Sequence, residues 1–220
     1  EIVSEQCRLV PIGGTAETSP LMFSCGESAI DLLEDYGRAW AEKRSHALKP
    51  RCQGWNSWDY YAGAVTAEDC YENMIEGRKR FGDAFKYMVI DEGWEPRWGA
   101  WVPNWKFPEG LADFVKRTEA ADCVPGIWTA ALLVNTYTDT YREHPEWFGR
   151  DKAGNIVTKL YSYGPMAFLD PTHPGAAEFL KNIFVRLRQA GFKYFKVDFT
   201  QETLLCDRFH DMTVGRGGVI

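Results

Sequence analysis

The chain has 220 residues, enough for one large domain or parts of two. Apolar residues make up 45% and charged residues 25%, a balance able to build a buried core. The net charge of -6 argues against a nucleic-acid or anionic-membrane partner, and no apolar run approaches the roughly 18 residues that span a bilayer.

Residues 1–26 mix short apolar pieces with Gly, Ser, Thr and Pro. They predict one or two strands with turns, the end of a preceding β domain. Within 27–51, "ESAIDLLEDYGRAWAEKR" spaces Ile30, Leu33, Tyr36 and Trp40 at helical period, with Ser28 as its N-cap. This segment is expected to be a linker helix.

From residue 52 onward strands and helices alternate. "CQGWNSW" predicts a short strand running into a loop. "TAEDCYENMIEGRKRF" predicts a helix whose Thr66 caps its start, with Asp69 three residues on. "KYMVIDEGW" follows as a strand, "GLADFVKRTEAA" as a helix and "VPGIWTAAL" as a strand. "PGAAEFLKNIFVRLRQAG" predicts a helix with Pro174 near its start and Gly191 at its stop. "FKYFKVDF" closes the series as a fourth strand. The strand centres lie about 35, 39 and 68 residues apart, the first two intervals matching a βαβ repeat. The third holds an insertion that includes "HPEWFGRDKAGN".

Such units build either a barrel or an open doubly wound sheet. In the fourth strand, alternation puts Phe195, Val197 and Phe199 on an outward face and Tyr194, Lys196 and Asp198 on an inward one. In the second strand the charges arrive only at the end, as Asp91 and Glu92. Polar groups gathered at several strand C-termini are the pattern of a (β/α)8 barrel. An open sheet would favour a glycine-rich loop after its first strand, where this chain has "GWNSWDYYAG". The fold class is therefore read as an α/β (β/α)8 barrel. Only about four βα units fit in residues 52–220, whereas a full barrel takes about 250 residues. The expectation is the N-terminal half of a barrel, from a longer protein.

Two compositional features bear on function. The six cysteines (Cys7, Cys25, Cys52, Cys70, Cys123 and Cys206) form no C-x-x-C pair, so no metal or other cofactor is expected. They read as thiols in a reducing compartment. Nine Trp, five of them between Trp55 and Trp101, offer flat apolar faces of the kind that stack on sugar rings. No signal peptide is visible, which favours the cytoplasm, with secretion left open for a longer parent.

The motifs "GWNSWDYY", "MVIDEGW", "WVPNWKFPEGL", "GIW", "HPEW", "LDPTHPGAAEFL" and "YFKVDFT" occur in order. In this they resemble the retaining α-galactosidases of glycoside hydrolase clan D, family 36 most of all. The resemblance covers about residues 20–206. It implies that residues 1–26 end a β-sandwich domain that precedes the barrel. It implies that Asp198 of the K-x-D motif is the nucleophile, forming a covalent glycosyl-enzyme intermediate. It makes Asp91 and Glu92 sugar-hydroxyl ligands, although the family carries a second Asp at the Glu92 position, so a substituted or differently linked galactoside enters the range of substrates. Lys196 is expected to bind the sugar and to sit as a counter-charge to Asp198. Trp128 and either Trp55 or Trp58 are expected to line the sugar pocket. The partner implied is an α-galactoside oligosaccharide or glycoconjugate, with homo-oligomerisation left open. The family's acid/base lies on a sixth strand, so the 220 residues alone are expected to hydrolyse little or nothing. The alternatives are a non-catalytic half-barrel that binds carbohydrate or assembles with another chain, and an α-N-acetylgalactosaminidase.

Overall fold

A computed structural model describes residues 10, 12–15, 17, 21–44 and 51–214. Most of the strand-bearing segment expected before residue 26, the end of the linker at 45–50, Cys7 and residues 215–220 lie outside the described residues. The described residues before the first helix hold no strand. The described residues up to Cys52 group apart from those from Gln53 onward. The first group contains one helix, α1 (Ala29–Arg44). Ser28 Oγ accepts from the Asp31 amide at 3.2 Å, the cap expected of it, and the apolar residues Ile30, Leu33 and Tyr36 are exposed.

The second group is an α/β unit. Strand β1 (Gly54–Asn56) runs into the short helix α2 (Trp58–Tyr61), and helix α3 (Ala67–Phe81) leads to strand β2 (Tyr87–Ile90). Thr66 and Asp69 form the complete capping box at the start of α3, satisfying amides that a helix start otherwise orphans. Helix α4 (Gly110–Ala120) connects β2 to β3 (Val124–Thr129). Then come β4 (Leu133–Asn135), α5 (Asp139–Glu143), β5 (Thr158–Tyr161), β6 (Gly164–Phe168), α6 (Pro174–Gln189) and β7 (Tyr194–Val197).

β1, β2, β3 and β7 form one parallel sheet in that order. Its register aligns Ile90 with Ile127 and Trp128 with Lys196, so the strand ends that carry Asp91, Thr129 and Asp198 lie on one rim. Phe85, Phe114, Ile127, Ile183 and Phe192 belong to one buried cluster, with Phe114 stacked between Tyr71 and Phe192 at 6.4 and 6.1 Å. The Phe195 ring packs edge-on to Phe184 of α6, as expected for an outward side chain.

Phe199 departs from the expected alternation. The strand ends at Val197, and Phe199 takes a left-handed backbone with φ +57°. Such a conformation costs a non-glycine residue roughly 1–2 kcal/mol. It breaks the period of two, so the ring turns in over the rim and packs on Trp98 and Tyr161 at 5.1 and 5.6 Å. The insertion between β3 and β7 is also more ordered than its sequence suggested. It holds a three-stranded antiparallel sheet, β4-β6-β5, whose β5–β6 hairpin turns through Ser162 and Tyr163 alone. Among the described residues no helix is long and apolar enough to cross a membrane.

Candidate active site

The rim of the parallel sheet bears a cleft of about 210 Å³, lined by Trp58, Asp91, Glu92, Trp128, Lys196 and Asp198, with Trp98, Tyr161, Ser162, Tyr163 and Phe199 closing it. Six of the seven residues singled out in the sequence thus meet in one place. Trp55 does not. It is half-buried against the core, edge-on to Tyr61 at 6.1 Å, so of the two tryptophans of "GWNSW" it is Trp58 that faces the cleft.

Asp91 is the fixed centre of the rim. It is buried, and its Oδ2 accepts from Lys196 Nζ and from Asn56 Nδ2, both at 2.7 Å. Its Oδ1 accepts from the Glu92 amide at 3.0 Å, and its own amide donates to Ser57 Oγ at 2.9 Å. Three strands therefore hold one carboxylate. The expected counter-charge arrangement is corrected here: the ion pair of Lys196 is with Asp91, two strands away in the sheet order, and not with Asp198. A two-residue spacing puts Lys196 and Asp198 on the same face, but the lysine's long stem carries its charge across Trp128 to the buried carboxylate.

Asp198 is positioned by its own neighbours. Its amide donates to the Thr129 carbonyl at 2.8 Å, continuing the ladder past the end of the strand. Trp128 Nε1 donates to Oδ2 at 3.1 Å, and the Phe199 amide donates to Oδ1 at 2.9 Å. The turn at Phe199 that breaks the strand thus supplies one of the two bonds that aim the carboxylate.

Glu92 differs in character from the other two acids. It is buried, and its Oε1 accepts from Trp98 Nε1 at 2.9 Å. Burial is the main cause that pushes its pKa up to about 7, opposed by the Trp98 bond and reinforced by Asp91 and Asp198. Raised in this way, the carboxyl is easier to protonate than an ordinary glutamate, and in its protonated form it can donate as well as accept. The loop that carries it depends on Gly93, whose φ of +114° and approach to Gly63 leave no room for a Cβ, which would sit 2.5 Å from the Gly63 carbonyl oxygen.

Asn56, Ser57, Trp98, Tyr161, Tyr163 and Phe199 were not foreseen at the site. Asn56 and Ser57 had a signal, being polar residues at the end of a strand whose neighbours end in acids. The two tyrosines come from the β5–β6 hairpin, whose Tyr163 carbonyl accepts from Asn135 Nδ2 at 3.0 Å, and nothing local in the sequence marks that hairpin as a wall. Among the described residues no group of three or more His, Cys, Asp or Glu is arranged to hold a metal ion.

No protein-family model matches the chain. Curated relatives do. A probable α-galactosidase G of Aspergillus terreus is 39% identical over 80 residues, 28% of this chain and 11% of the relative. A probable α-galactosidase G of Emericella nidulans is 34% identical over 110 residues, 42% of this chain and 15% of the relative. Among solved structures, an α-galactosidase from Thermus thermophilus in complex with stachyose superposes with a TM-score of 0.67 at 24% identity. That match covers 81% of this chain and 38% of the other. By sequence and by fold, the chain resembles α-galactosidases. A family 36 α-galactosidase from Geobacillus stearothermophilus, in complex with raffinose, gives a TM-score of 0.58 at 19% identity over 68% of this chain and 21% of that one. The chain thus spans well under half the length of these relatives.

Proposed function

We propose that residues 51–214 are the nucleophile-bearing part of a retaining α-galactosidase and form the first four βα units of its (β/α)8 barrel. The observation that carries this reading is the convergence of Asp198, Asp91 and Lys196 on one aromatic-walled cleft at the C-terminal ends of parallel strands. Sugar binding needs apolar faces for the ring and fixed polar groups for its hydroxyls, and the cleft supplies both. Trp58, Tyr161, Tyr163 and Phe199 present rings, while Asp91, Glu92 and Lys196 present charged or titrating groups.

In this reading an Asp198 carboxylate oxygen attacks the anomeric carbon, and the bond to the departing sugar oxygen breaks as the new C–O bond forms. The bonds from Trp128 and from the Phe199 amide hold the carboxylate in line without blocking every lone pair. The departing oxygen takes its proton from a second carboxyl, about 5 to 5.5 Å from the nucleophile in retaining enzymes. No described residue is assigned to that role, which the family resemblance places on a later strand. Asp91 and Lys196 bind sugar hydroxyls, and Glu92 sets which substituents are accepted beside them.

The test is Asp198→Ala in the full-length protein, with p-nitrophenyl α-galactoside as substrate. Hydrolysis should fall by on the order of a thousandfold or more. Sodium azide should restore turnover and yield a galactosyl azide, since the small anion fills the space of the lost carboxylate. An Asp198→Ala enzyme that still hydrolyses at a rate near wild type would overturn the assignment.

A further inference from the structure

Lys159 lies on β5, two residues before Tyr161 of the cleft wall. Glu202 lies in the short 3₁₀ helix Thr200–Leu205, just past the turn at Phe199. The two meet across 43 residues of chain, Lys159 Nζ donating to both Glu202 carboxylate oxygens at 2.8 and 2.9 Å. The lysine is half-exposed, but the Glu202 side chain keeps only 13% of its surface in water. A carboxylate so shielded depends on its cation, unlike the exposed ion pairs that contribute little. It also acts on the Tyr161 hydroxyl, whose pKa is raised by burial first and by Glu202 second. The Lys159 ammonium itself stands 5.2 Å from the centre of the Tyr161 ring.

What this pair joins bears on the nucleophile. The Phe199 amide reaches Asp198 Oδ1 at 2.9 Å from a left-handed backbone, a conformation strained for an L side chain and kept only where its surroundings hold it. The Trp98 and Tyr161 rings hold the Phe199 side chain, and Lys159 holds the segment three residues on. The segment's own bonds are local: the Glu202 amide donates to the Phe199 carbonyl at 3.2 Å, and Thr203 Oγ1 to the Thr200 carbonyl at 3.0 Å. The hairpin has support of its own. β5 pairs with β6 and β6 with β4, and the Tyr163 carbonyl accepts from Asn135 Nδ2. The hairpin is thus the fixed side of the contact, and the turn is the side it restrains.

We propose that Glu202 and Lys159 are positioning residues for Asp198, clamping the turn that aims its carboxylate to the hairpin wall of the cleft. The proposal rests on the reading of Asp198 as nucleophile. Neither side chain lines the cleft, so the pair acts through the turn and not on the sugar. Losing the clamp lets the Phe199 amide drift from Asp198 Oδ1, and a reacting group displaced by about 1 Å can lose on the order of a hundredfold in rate.

The test compares full-length proteins with p-nitrophenyl α-galactoside as substrate. Glu202→Gln and Lys159→Met should each lower kcat by about ten- to hundredfold and leave KM within about threefold. The double variant should lose no more than the worse single, because all three remove one contact. Azide then separates aiming from general damage to the cleft. In Asp198→Ala the attacking group is free azide, which needs no aimed carboxylate, so adding Glu202→Gln should leave the azide-supported rate within about twofold. An azide-supported rate that falls with Glu202→Gln as kcat does overturns the proposal. So does a wild-type kcat in Glu202→Gln, or losses that add in the double variant. An Asp198→Ala enzyme that hydrolyses near the wild-type rate, or gains nothing from azide, overturns the nucleophile reading and the proposal with it.

Discussion

Replacing Glu95 by glutamine should flatten the dependence of stability on pH. The Glu95 carboxyl is 6% exposed, and its Oε2 accepts from the Gly93 amide at 3.2 Å. Burial, the largest cause, pushes its pKa from an ordinary 4.5 up to about 8, with Glu92 adding to the rise and hydrogen bonds opposing it. The folded state therefore keeps a proton that the unfolded chain releases. Stability from this group is fully present below pH 4.5 and is lost as pH rises through about 8. At about 1.4 kcal/mol per pH unit across that window, the loss between pH 5 and pH 8 is about 3–4 kcal/mol. Glutamine keeps the shape and an acceptor for the Gly93 amide but cannot ionise. Urea unfolding of wild type and Glu95→Gln at both pH values should show the wild type losing that much more than the variant. Parallel profiles for the two proteins would refute the claim that burial sets the protonation of Glu95.

Lys196→Met should cost about 2–3 kcal/mol of stability, because it leaves Asp91 a buried carboxylate without its cation; part-exposure of the lysine keeps the loss at the low end for a buried pair. Thermal melts should show Asp91→Asn restoring most of it in the double variant, and additive losses would show that the two side chains are not coupled. Gly93→Ala should lower stability by about 2–3 kcal/mol, since both its positive φ and the Gly63 carbonyl oppose a Cβ. It should also weaken methyl α-galactoside binding by displacing Glu92, and a variant that melts like wild type would show that the loop can yield.

What the order of residues determined by itself is local in origin. The capping box of Thr66 and Asp69, Pro174 at a helix start and Gly191 at its stop, and the apolar runs before Asp91 and Asp198 follow from hydrogen bonding and side-chain period within a few residues. Alternation was enough to place Lys196 and Asp198 inward and Phe195 outward. It failed at Phe199, where a hydrogen bond to Asp198 and contacts with Trp98 and Tyr161 accompany a left-handed turn that no pattern of two announces. The partner of Lys196 is 105 residues away, and the choice of Asp91 over the nearer Asp198 depends on where parallel pairing puts the two strand ends along the rim. The tyrosine wall is likewise a product of distant chain segments meeting, a hairpin from the insertion closing over the loop after β2. Local chemistry decided which carboxylates would reach the rim. Only the packing of the strands and loops decided which of them is paired, which has its pKa raised by burial and which faces open space.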